Sequence, residues 1–174
     1  MDSKKLFIVA WIFKFIPPTR GHNFKAKLLR WAGAKVGKNV EIVSSAKILG
    51  NMNLTIGDYC YIGHEALIFG PIGSNIIIED YAKVCSRTIV VTGQHRYSGD
   101  GNCVAKEGTC KDIIIKRGAV VDTASIVVPG VTVNEMAHCA AGCVVTKDVP
   151  ARCRVAGIPA RVIKDFREEE NLEN

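Results

Sequence analysis

Aromatic residues are scarce in this chain. They make up 7% of its 174 residues, although 48% of the sequence is hydrophobic. The apolar content is therefore mostly aliphatic, as the core of a narrow fold requires. No aromatic residues are interleaved with a basic stripe, and no DNA- or RNA-binding motif is present. The formal net charge of +6 therefore favours a membrane surface or a phosphorylated ligand as an anionic partner over nucleic acid.

Paired cysteines and clustered histidines are also missing. The seven cysteines are odd in number and form no C-x-x-C motif, which indicates reduced thiols in a cytoplasmic protein. The four histidines are too scattered to supply the roughly three that a zinc site would bring together at one interface. We therefore expect no metal. Cys103 and Cys110, which share one irregular segment, are the pair to check for metal binding or oxidation.

No apolar run reaches the ~20 residues of a membrane span. The longest candidate, residues 4–16, reads K-K-L-F-I-V-A-W-I-F-K-F-I and leads into Pro17-Pro18-Thr19-Arg20, where a signal peptide would have a small-residue cleavage site. A short apolar helix fits this run better. The sequence leaves open whether that helix lies at a membrane interface or packs on a neighbouring subunit.

Acidic residues are absent from residues 4–38. A second helix is predicted in this stretch, capped by Asn23 and ended by Gly33. One of its faces would carry three large apolar residues, namely Phe24, Leu28 and Trp31. Three cations lie elsewhere around it, namely Lys25, Lys27 and Arg30. These cations form either the solvated side of a packing helix or a basic surface for anionic lipid or a lipid-linked substrate.

A six-residue repeat organises most of the chain. Residues 115–149 divide into blocks that each begin with an aliphatic residue or cysteine: Ile115, Val121, Val127, Val133, Cys139 and Val145. The fifth place of each block is small or apolar: Ala119, Ser125, Val131, Ala137, Cys143 and Val149. This period is the signature of a parallel β-helix, whose stacked coils cover one another's core. The first residue of a block would fill the interior, and the small fifth residue would fit beside a corner.

The same step can be followed back to Val36, with register shifts near Leu54–Thr55 and over residues 70–75. The second place of three blocks is glycine, where a corner can demand a positive φ: Gly37, Gly57 and Gly63. Beyond Pro150 the chain should turn back in a short extended piece, followed by a helix from about Val162.

Three segments are expected from these patterns. They are an N-terminal helical segment of residues 1–35, a β-helix of residues 36–150 and a C-terminal extension of residues 151–174. An inserted loop of residues 93–112, polar and without period, interrupts the β-helix. A long excursion from a tight coil is usually functional or disordered, and His95 at its root favours function.

Two motifs near the C-terminus carry a family resemblance. The chain reads V-V-T-K-D-V-P at 144–150 and A-G-I-P-A-R-V-I-K at 156–164. Both resemble the hexapeptide-repeat acyltransferases, above all the maltose and galactoside acetyltransferases and the enzymes that O-acetylate bacterial surface polysaccharides. The resemblance covers roughly residues 36–164. It implies an all-β solenoid, a left-handed parallel β-helix assembled as a homotrimer that binds acetyl-CoA between neighbouring subunits.

The resemblance also implies roles for single residues. His95, in V-T-G-Q-H at 91–95, matches the catalytic base. Positions that match cofactor contacts are Thr146 and Lys147 near the nucleotide end, Ala141 at the pantetheine arm, Arg161 and Lys164 at the phosphates, and Thr123 along the same groove. Acceptor contacts are expected from His64, Glu65, Arg96 and Tyr97. The chain departs from the family at 115–122, where I-K-R-G-A-V-V-D replaces the frequent I-G-D-x-V-W-I-G.

These residues predict an acetyl-CoA-dependent O-acetyltransferase that acts on a sugar hydroxyl in surface-polysaccharide or lipid-linked glycan assembly. An imidazole with a pKa near neutrality can take the hydroxyl proton and return it to the departing thiolate. A backbone carbonyl, Glu65 or Asp100 would orient that ring, and His64 would lie at a corner one coil below it. His22 and His138 are expected to be structural. Transfer to an amino sugar or an antibiotic, and a zinc-binding or non-catalytic β-helix, are the alternatives.

Overall fold

The computed structural model describes residues 1–97 and 103–167, apart from the side chain of Lys106. Two helices, α1 (Ser3–Phe13) and α2 (His22–Trp31), precede the strands. In chain order the strands are β1 (Lys35–Val36), β2 (Glu41–Ile42), β3 (Lys47–Gly50), β4 (Asn53–Ile56), β5 (Tyr61–Ile62), β6 (Leu67–Gly70), β7 (Asn75–Ile78), β8 (Lys83–Val84), β9 (Ile89–Val91), β10 (Gly93–Tyr97), β11 (Ala105–Cys110), β12 (Ile113–Ile115), β13 (Val120–Val121), β14 (Ile126–Val127), β15 (Thr132–Val133), β16 (His138–Cys139), β17 (Val144–Val145), β18 (Cys153–Ala156) and β19 (Arg161–Asp165).

The strands stack into three sheets that form the faces of a prism. Face A has the order β1-β4-β7-β12-β15, and face C has the order β3-β6-β9-β14-β17. Face B has the order β2-β5-β8-β13-β16-β18, with β19 added antiparallel to β18 at its edge. The result is a parallel β-solenoid of about 5 turns that matches a left-handed β-helix, so the predicted fold class is confirmed.

The register shows how the coils absorb extra residues. Residues that stack in the last coils lie 18 positions apart, as Ser125 and Cys143 do, which is three blocks of six. The offset is 20 between Lys38 and Asp58 and 22 between Asp58 and Asp80. It rises to 37 where the hairpin β10-β11 is inserted. The extra residues all lie between faces C and A, so the first shift precedes β4 and does not fall within it at 54–55.

The core is a column of aliphatic side chains on each face. On face A, Ile56, Ile78, Ile115 and Val133 follow one another in register, and none is more than 1% exposed. Each side chain therefore packs against a similar one above and below it, as a stacked repeat requires. The first-place residues of the repeat fill the interior as expected.

The corner glycines serve a different purpose from the one expected. Gly37, Gly57 and Gly63 have no positive φ. A Cβ at Gly63 would lie 2.6 Å from the backbone nitrogen of Ser86 in the next coil, so the close approach of that coil excludes a side chain. Positive φ falls on other corner residues, namely Asn39, Tyr59, Glu65, Tyr81, Arg87, Ala124, Met136 and Arg152.

Helix α2 covers the open end of the first coil. Lys25 is fully buried, and its Nζ donates to the carbonyls of Pro18 and Ile42, each at 2.8 Å. Burial lowers the pKa of this ammonium. Arg30 donates to two further carbonyls of the first coil, and His22 Nδ1 lies 3.1 Å from the Ile42 nitrogen. These bonds pair backbone groups at the end of the stack, so Lys25, Arg30 and His22 are structural.

The helix boundaries and faces differ in part from the prediction. Helix α2 starts after Gly21, which has a left-handed φ, so Asn23 is not its cap. Gly33, with φ 99°, follows its end as expected. The buried face carries Lys25, Ala26 and Leu29, whereas Phe24 and Trp31 are exposed. No helix among the described residues has both the length and the apolar character to cross a bilayer.

The C-terminal extension turns back on the last coil. Val162 lies in β19 and pairs with Val155 of β18, so the prediction of a helix starting near Val162 is wrong. The antiparallel pairing with β18 stabilises this segment, whereas an isolated helix of this length would be marginal because its nucleation is costly. A helix within residues 168–174 would lie outside the described residues.

Candidate active site

His95 lies on the hairpin that leaves the prism between faces C and A. It stands opposite Gly108 in the antiparallel register, and a bulge separates it from Tyr97. His95, Arg96 and Tyr97 are all exposed. Beside them is a cleft of about 450 Å³. Its lining residues are Phe69, Pro71, Ile72, Gly93, Gln94, His95, Gly108, Thr109 and Cys110.

The root of the hairpin is fixed by buried hydroxyl groups. Ser74 and Thr92 are both fully buried, and their oxygens lie 2.8 Å apart. The Lys111 nitrogen donates to the Thr92 carbonyl at 3.0 Å. A Cβ at Gly70 would lie 2.5 Å from the Thr92 hydroxyl, so this pair depends on glycine at position 70. The hairpin is therefore held at its base, where His95 emerges.

The corner between faces B and C carries a second group of the expected site residues. In successive coils one column of its turns holds Ser44, His64, Ser86, Thr123 and Ala141, and the adjacent column holds Ser45, Glu65, Arg87, Ala124 and Gly142. The backbone of each turn bonds to the turn of the coil below, as in Arg87 N to His64 O and Gly142 N to Thr123 O, both at 2.8 Å. The stacking of the coils, and not proximity in sequence, aligns these side chains.

A charged network links the lower part of this corner. The Ser45 hydroxyl lies 2.5 Å from His64 Nδ1. The Glu65 carboxylate lies 3.7 Å from His64 Nε2 and accepts a bond of 3.0 Å from Arg87 Nε. Arg87 and then His64 lower the pKa of Glu65. The sequence analysis missed Ser45 and Arg87, although the repeat offset would have placed both on the corner of His64.

His64 and Glu65 are not beside His95 in one chain. His64 precedes β6, whereas His95 follows β9, so the two histidines lie at opposite edges of face C. His64 lies at a corner one coil below His95, as expected, but at the opposite edge of face C. Glu65 is accordingly excluded as the group that orients His95 within its own chain. Asp100 lies outside the described residues, so its role stays a prediction.

Higher on the same corner, Thr123 and Ala141 are exposed. The Thr123 nitrogen donates to the Asp122 carboxylate at 2.7 Å. That bond, followed by His138, lowers the pKa of Asp122. His138 Nε2 lies 3.5 Å from Asp122 Oδ2 on the outer side of face B, which agrees with the outward orientation expected for it.

A third cluster lies at the C-terminal end of the prism. Lys147 and Arg161 share a cleft of about 240 Å³. The other lining residues are Val145, Asp148, Val149, Pro150, Val155, Ala160 and Val162. Thr146 follows β17 directly. Lys164 is on β19, with its Nζ 5.2 Å from the centre of the Phe166 ring. Two cations at one cleft suit a phosphorylated ligand.

The three clusters occupy the two corners that bound face C. The hairpin with His95 and the turn with Lys147 lie between faces C and A, whereas Thr123 and Ala141 lie between faces B and C. The width of a whole face separates them. Within one chain, the expected site is therefore divided into two halves, one on the corner of faces C and A and one on the corner of faces B and C, and the two halves do not meet.

Among residues 1–97 and 103–167, no group of three or more metal-ligating side chains is found. Cys103 is exposed and Cys110 is half-buried, and both are free thiols. Cys139 and Cys143 are fully buried at inward places of the repeat. There they act as small apolar residues.

The chain is similar in sequence to named acyltransferases. The chain is 31% identical over 163 residues to a protein of Escherichia coli K12 named for acetyl transfer in colanic acid biosynthesis, WcaF, covering 94% of this chain and 86% of WcaF. It is 30% identical over 155 residues to the dTDP-4-amino-4,6-dideoxy-D-glucose acyltransferase of Escherichia coli, covering 75% and 81%. No protein-family model matches the chain.

A solved structure shows the same fold. The hexapeptide-repeat acetyltransferase of Vibrio cholerae, complexed with acetyl coenzyme A, superposes with a TM-score of 0.73 at 22% identity, over 94% of this chain and 86% of that one. The six-residue period, the three-faced solenoid and the extensive similarity to WcaF lead to one assignment. The chain belongs to the hexapeptide-repeat acetyltransferases.

Proposed function

We propose that this protein transfers an acetyl group from acetyl-CoA to a hydroxyl group of a sugar, at a site shared by neighbouring subunits of a homotrimer. The observation that carries the proposal is the division of the matched residues between two corners. A cyclic contact between identical chains sets one surface of a chain against a different surface of its neighbour. The corner with His95 would then face the corner with Thr123 and Ala141.

His95 is the proposed general base. A sugar hydroxyl is a weak nucleophile until its proton is removed, and the imidazole accepts that proton as the oxygen attacks the thioester carbonyl. When the tetrahedral intermediate collapses, the imidazolium returns the proton to the departing thiolate, so the charge is balanced. A base of this kind contributes about 10²–10⁴-fold in rate. The hairpin root holds the backbone of His95 in place for this task.

Acetyl-CoA would run along the corner between faces C and A. The cleft with Lys147 and Arg161 and the hairpin with His95 lie on this same corner, separated along it by the turn at Pro129–Gly130. We assign the phosphates to Lys147, Arg161 and Lys164, because densely charged phosphates need cations. Thr146 would contact the nucleotide end, and Thr123 and Ala141 of the neighbour would line the opposite wall.

The acceptor would bind between the hairpin and the neighbouring corner. Arg96 and Tyr97 are exposed beside His95. His64 and Glu65 would come from the adjacent subunit, within a network that Ser45 and Arg87 extend. Hydroxyl, imidazole, carboxylate and guanidinium groups offer both donors and acceptors, which a sugar with several hydroxyl groups can use. Similarity to WcaF supports a surface polysaccharide or a lipid-linked glycan, and the odd cysteine count supports a cytoplasmic location.

The test is release of free coenzyme A thiol with a panel of hydroxyl-bearing sugars. His95→Ala should lower turnover at least 100-fold while the trimer, measured by light scattering, persists. His138→Asn, which removes an imidazole from the outer side of face B, should keep near-normal turnover. Near-normal turnover by His95→Ala would remove His95 from the mechanism.

Transfer to an amino sugar is the second candidate, supported by the 30% identity to the dTDP-4-amino-4,6-dideoxy-D-glucose acyltransferase. The same site could serve both reactions, since an amine that is already neutral needs less help from a base than a hydroxyl does. Matched sugars that carry an amine or a hydroxyl at one position distinguish them. Turnover of the amino sugar alone would establish N-acetylation.

A further inference from the structure

Helix α1 has two apolar faces, and the chain buries one of them. Leu6, Val9 and Phe13 face the solenoid and are 2–4% exposed. On the opposite side Phe7 and Trp11 are 75% and 57% exposed, and Phe15, in the turn that follows the helix, is 72% exposed. A helix that is apolar all round is usually buried or in contact with lipid, so the outward face of α1 lacks a partner among residues 1–97 and 103–167.

Helix α2 extends the same surface. Phe24 and Trp31 point away from its buried side and are 52% and 48% exposed. The Lys5 ammonium of α1 lies 5.3 Å from the centre of the Trp31 ring, which places the two helices side by side. Ile8 of α1 is also 45% exposed. We call these six exposed residues the aromatic surface: Phe7, Ile8, Trp11, Phe15, Phe24 and Trp31.

The charged residues within both helices are positive, and Asp2, the N-cap of α1, is the one carboxylate that precedes them in the chain. Residues 3–40 contain no aspartate or glutamate. Lys25 and Arg30 are used in capping the first coil, but other cations of this stretch are exposed at or beside the surface: Lys4, Lys14, Arg20 and Lys27. Tryptophan and phenylalanine mixed with lysine are typical of helices that lie in a membrane interface. A second copy of the surface would bring like charges together, whereas anionic lipid complements them.

We propose that the aromatic surface binds an anionic lipid bilayer, with α1 and α2 lying in the plane of the interface. The helices pack on β1, β2 and β3, so the prism would rest on its first-coil end, opposite the cleft of Lys147 and Arg161. Binding to lipid is independent of the proposed reaction. Its benefit, which is to bring the site close to a lipid-linked acceptor, rests on the proposed function.

The tryptophans provide a direct probe, because the chain has two and both belong to the aromatic surface. Full-length protein is mixed, without acetyl-CoA, with vesicles of phosphatidylcholine alone or of phosphatidylcholine and phosphatidylglycerol in equal amounts. With the anionic vesicles we expect a blue shift of tryptophan emission, protection from acrylamide and co-sedimentation that weakens in high salt. Neutral vesicles should give much weaker binding.

Matched charge reversals test the electrostatic part. Lys4→Glu with Lys27→Glu should weaken binding to the anionic vesicles about 30-fold or more, since each lysine near such a surface contributes about fivefold. Lys83→Glu with Arg154→Glu changes the net charge equally on exposed positions of face B and should leave binding nearly unchanged. Both double variants should retain turnover of a water-soluble sugar, which separates this proposal from the proposed function.

Three results would overturn the proposal. They are the absence of co-sedimentation with anionic vesicles at low salt, equal binding by the two double variants, and tryptophans that are already protected from acrylamide without lipid. The last result would show that a neighbouring subunit covers the surface. An inactive enzyme that still binds anionic vesicles would contradict the proposed function but would support the lipid-binding proposal.

Discussion

Mixing two inactive variants tests whether the site is shared between chains. His95→Ala removes the proposed base at the corner of faces C and A. Ala141→Trp places a large side chain at the corner of faces B and C, where the alanine is exposed and where we propose that it lines the cofactor groove. Each variant alone should be inactive, because every site in its trimer lacks one half.

The expected recovery follows from the geometry of the two corners. In trimers formed at random from equal amounts, a site works only where the Ala141→Trp chain supplies His95 and the His95→Ala chain supplies the neighbouring corner. The chance of that arrangement in a cyclic trimer is about one in four. About 25% of wild-type turnover should therefore return in a random mixture, measured as thiol release. The two chains carry different tags, are co-expressed and are purified through both tags. Because this purification removes trimers of a single variant, the measured turnover is corrected for that selection.

A double variant provides the control. Random trimers of wild type with His95→Ala/Ala141→Trp should retain about one quarter of the activity if sites are shared, and about half if each chain holds its own site. Light scattering confirms that mixed trimers have formed. Mixed trimers of the two single variants that remain as inactive as their parents would refute the shared site.

Three further predictions concern the core, the cofactor and pH. Ile78→Ala should lower the free energy of unfolding by about 2–5 kcal/mol. Ile77 is half-buried on the outer side of the same strand, so Ile77→Ala should lower it far less. Urea unfolding at one protein concentration compares the two variants, and equal losses would contradict the register. Arg161→Ala should raise the apparent KM for acetyl-CoA several-fold with little change in the acceptor KM, and an unchanged cofactor KM would make it a surface residue. The pKa of Asp122 is lowered, chiefly by the Thr123 N–H. The Asp122 carboxylate therefore contributes fully to stability above the ordinary aspartate pKa of about 4, and this contribution is lost as pH falls through the lowered pKa. Asp122→Asn should flatten that acid limb in urea unfolding measured against pH, and an unchanged limb would show that Asp122 contributes nothing there.

The sequence alone determined the solenoid and the contents of its core. A period of six requires each block to present one residue to the interior, and aliphatic residues at that place can be buried only if coils stack. Residues such as Ile115 and Val121 were therefore assigned to the core without any coordinates. The motifs at 144–150 and 156–164 added the family, because they combine specific residues with fixed spacing.

Only the tertiary structure decided which side chains meet at each corner. The repeat offset alone is enough to place Ser45 and Arg87 on the corner of His64. Their contacts with His64 and Glu65, and the hairpin that carries His95 at the other edge of face C, depend on the packing of coils that are far apart in sequence.

Local patterns failed where a neighbouring coil or helix set the requirement. Gly63 is small because the next coil approaches it closely, and a sequence window of one coil contains no information on that contact. Lys25 is buried because the first coil presents unpaired carbonyls that it can reach, whereas Trp31 remains exposed. Composition indicates which residues can be buried. Which of them are buried near the N-terminus depends on the open end of the stack and on the surface beyond it.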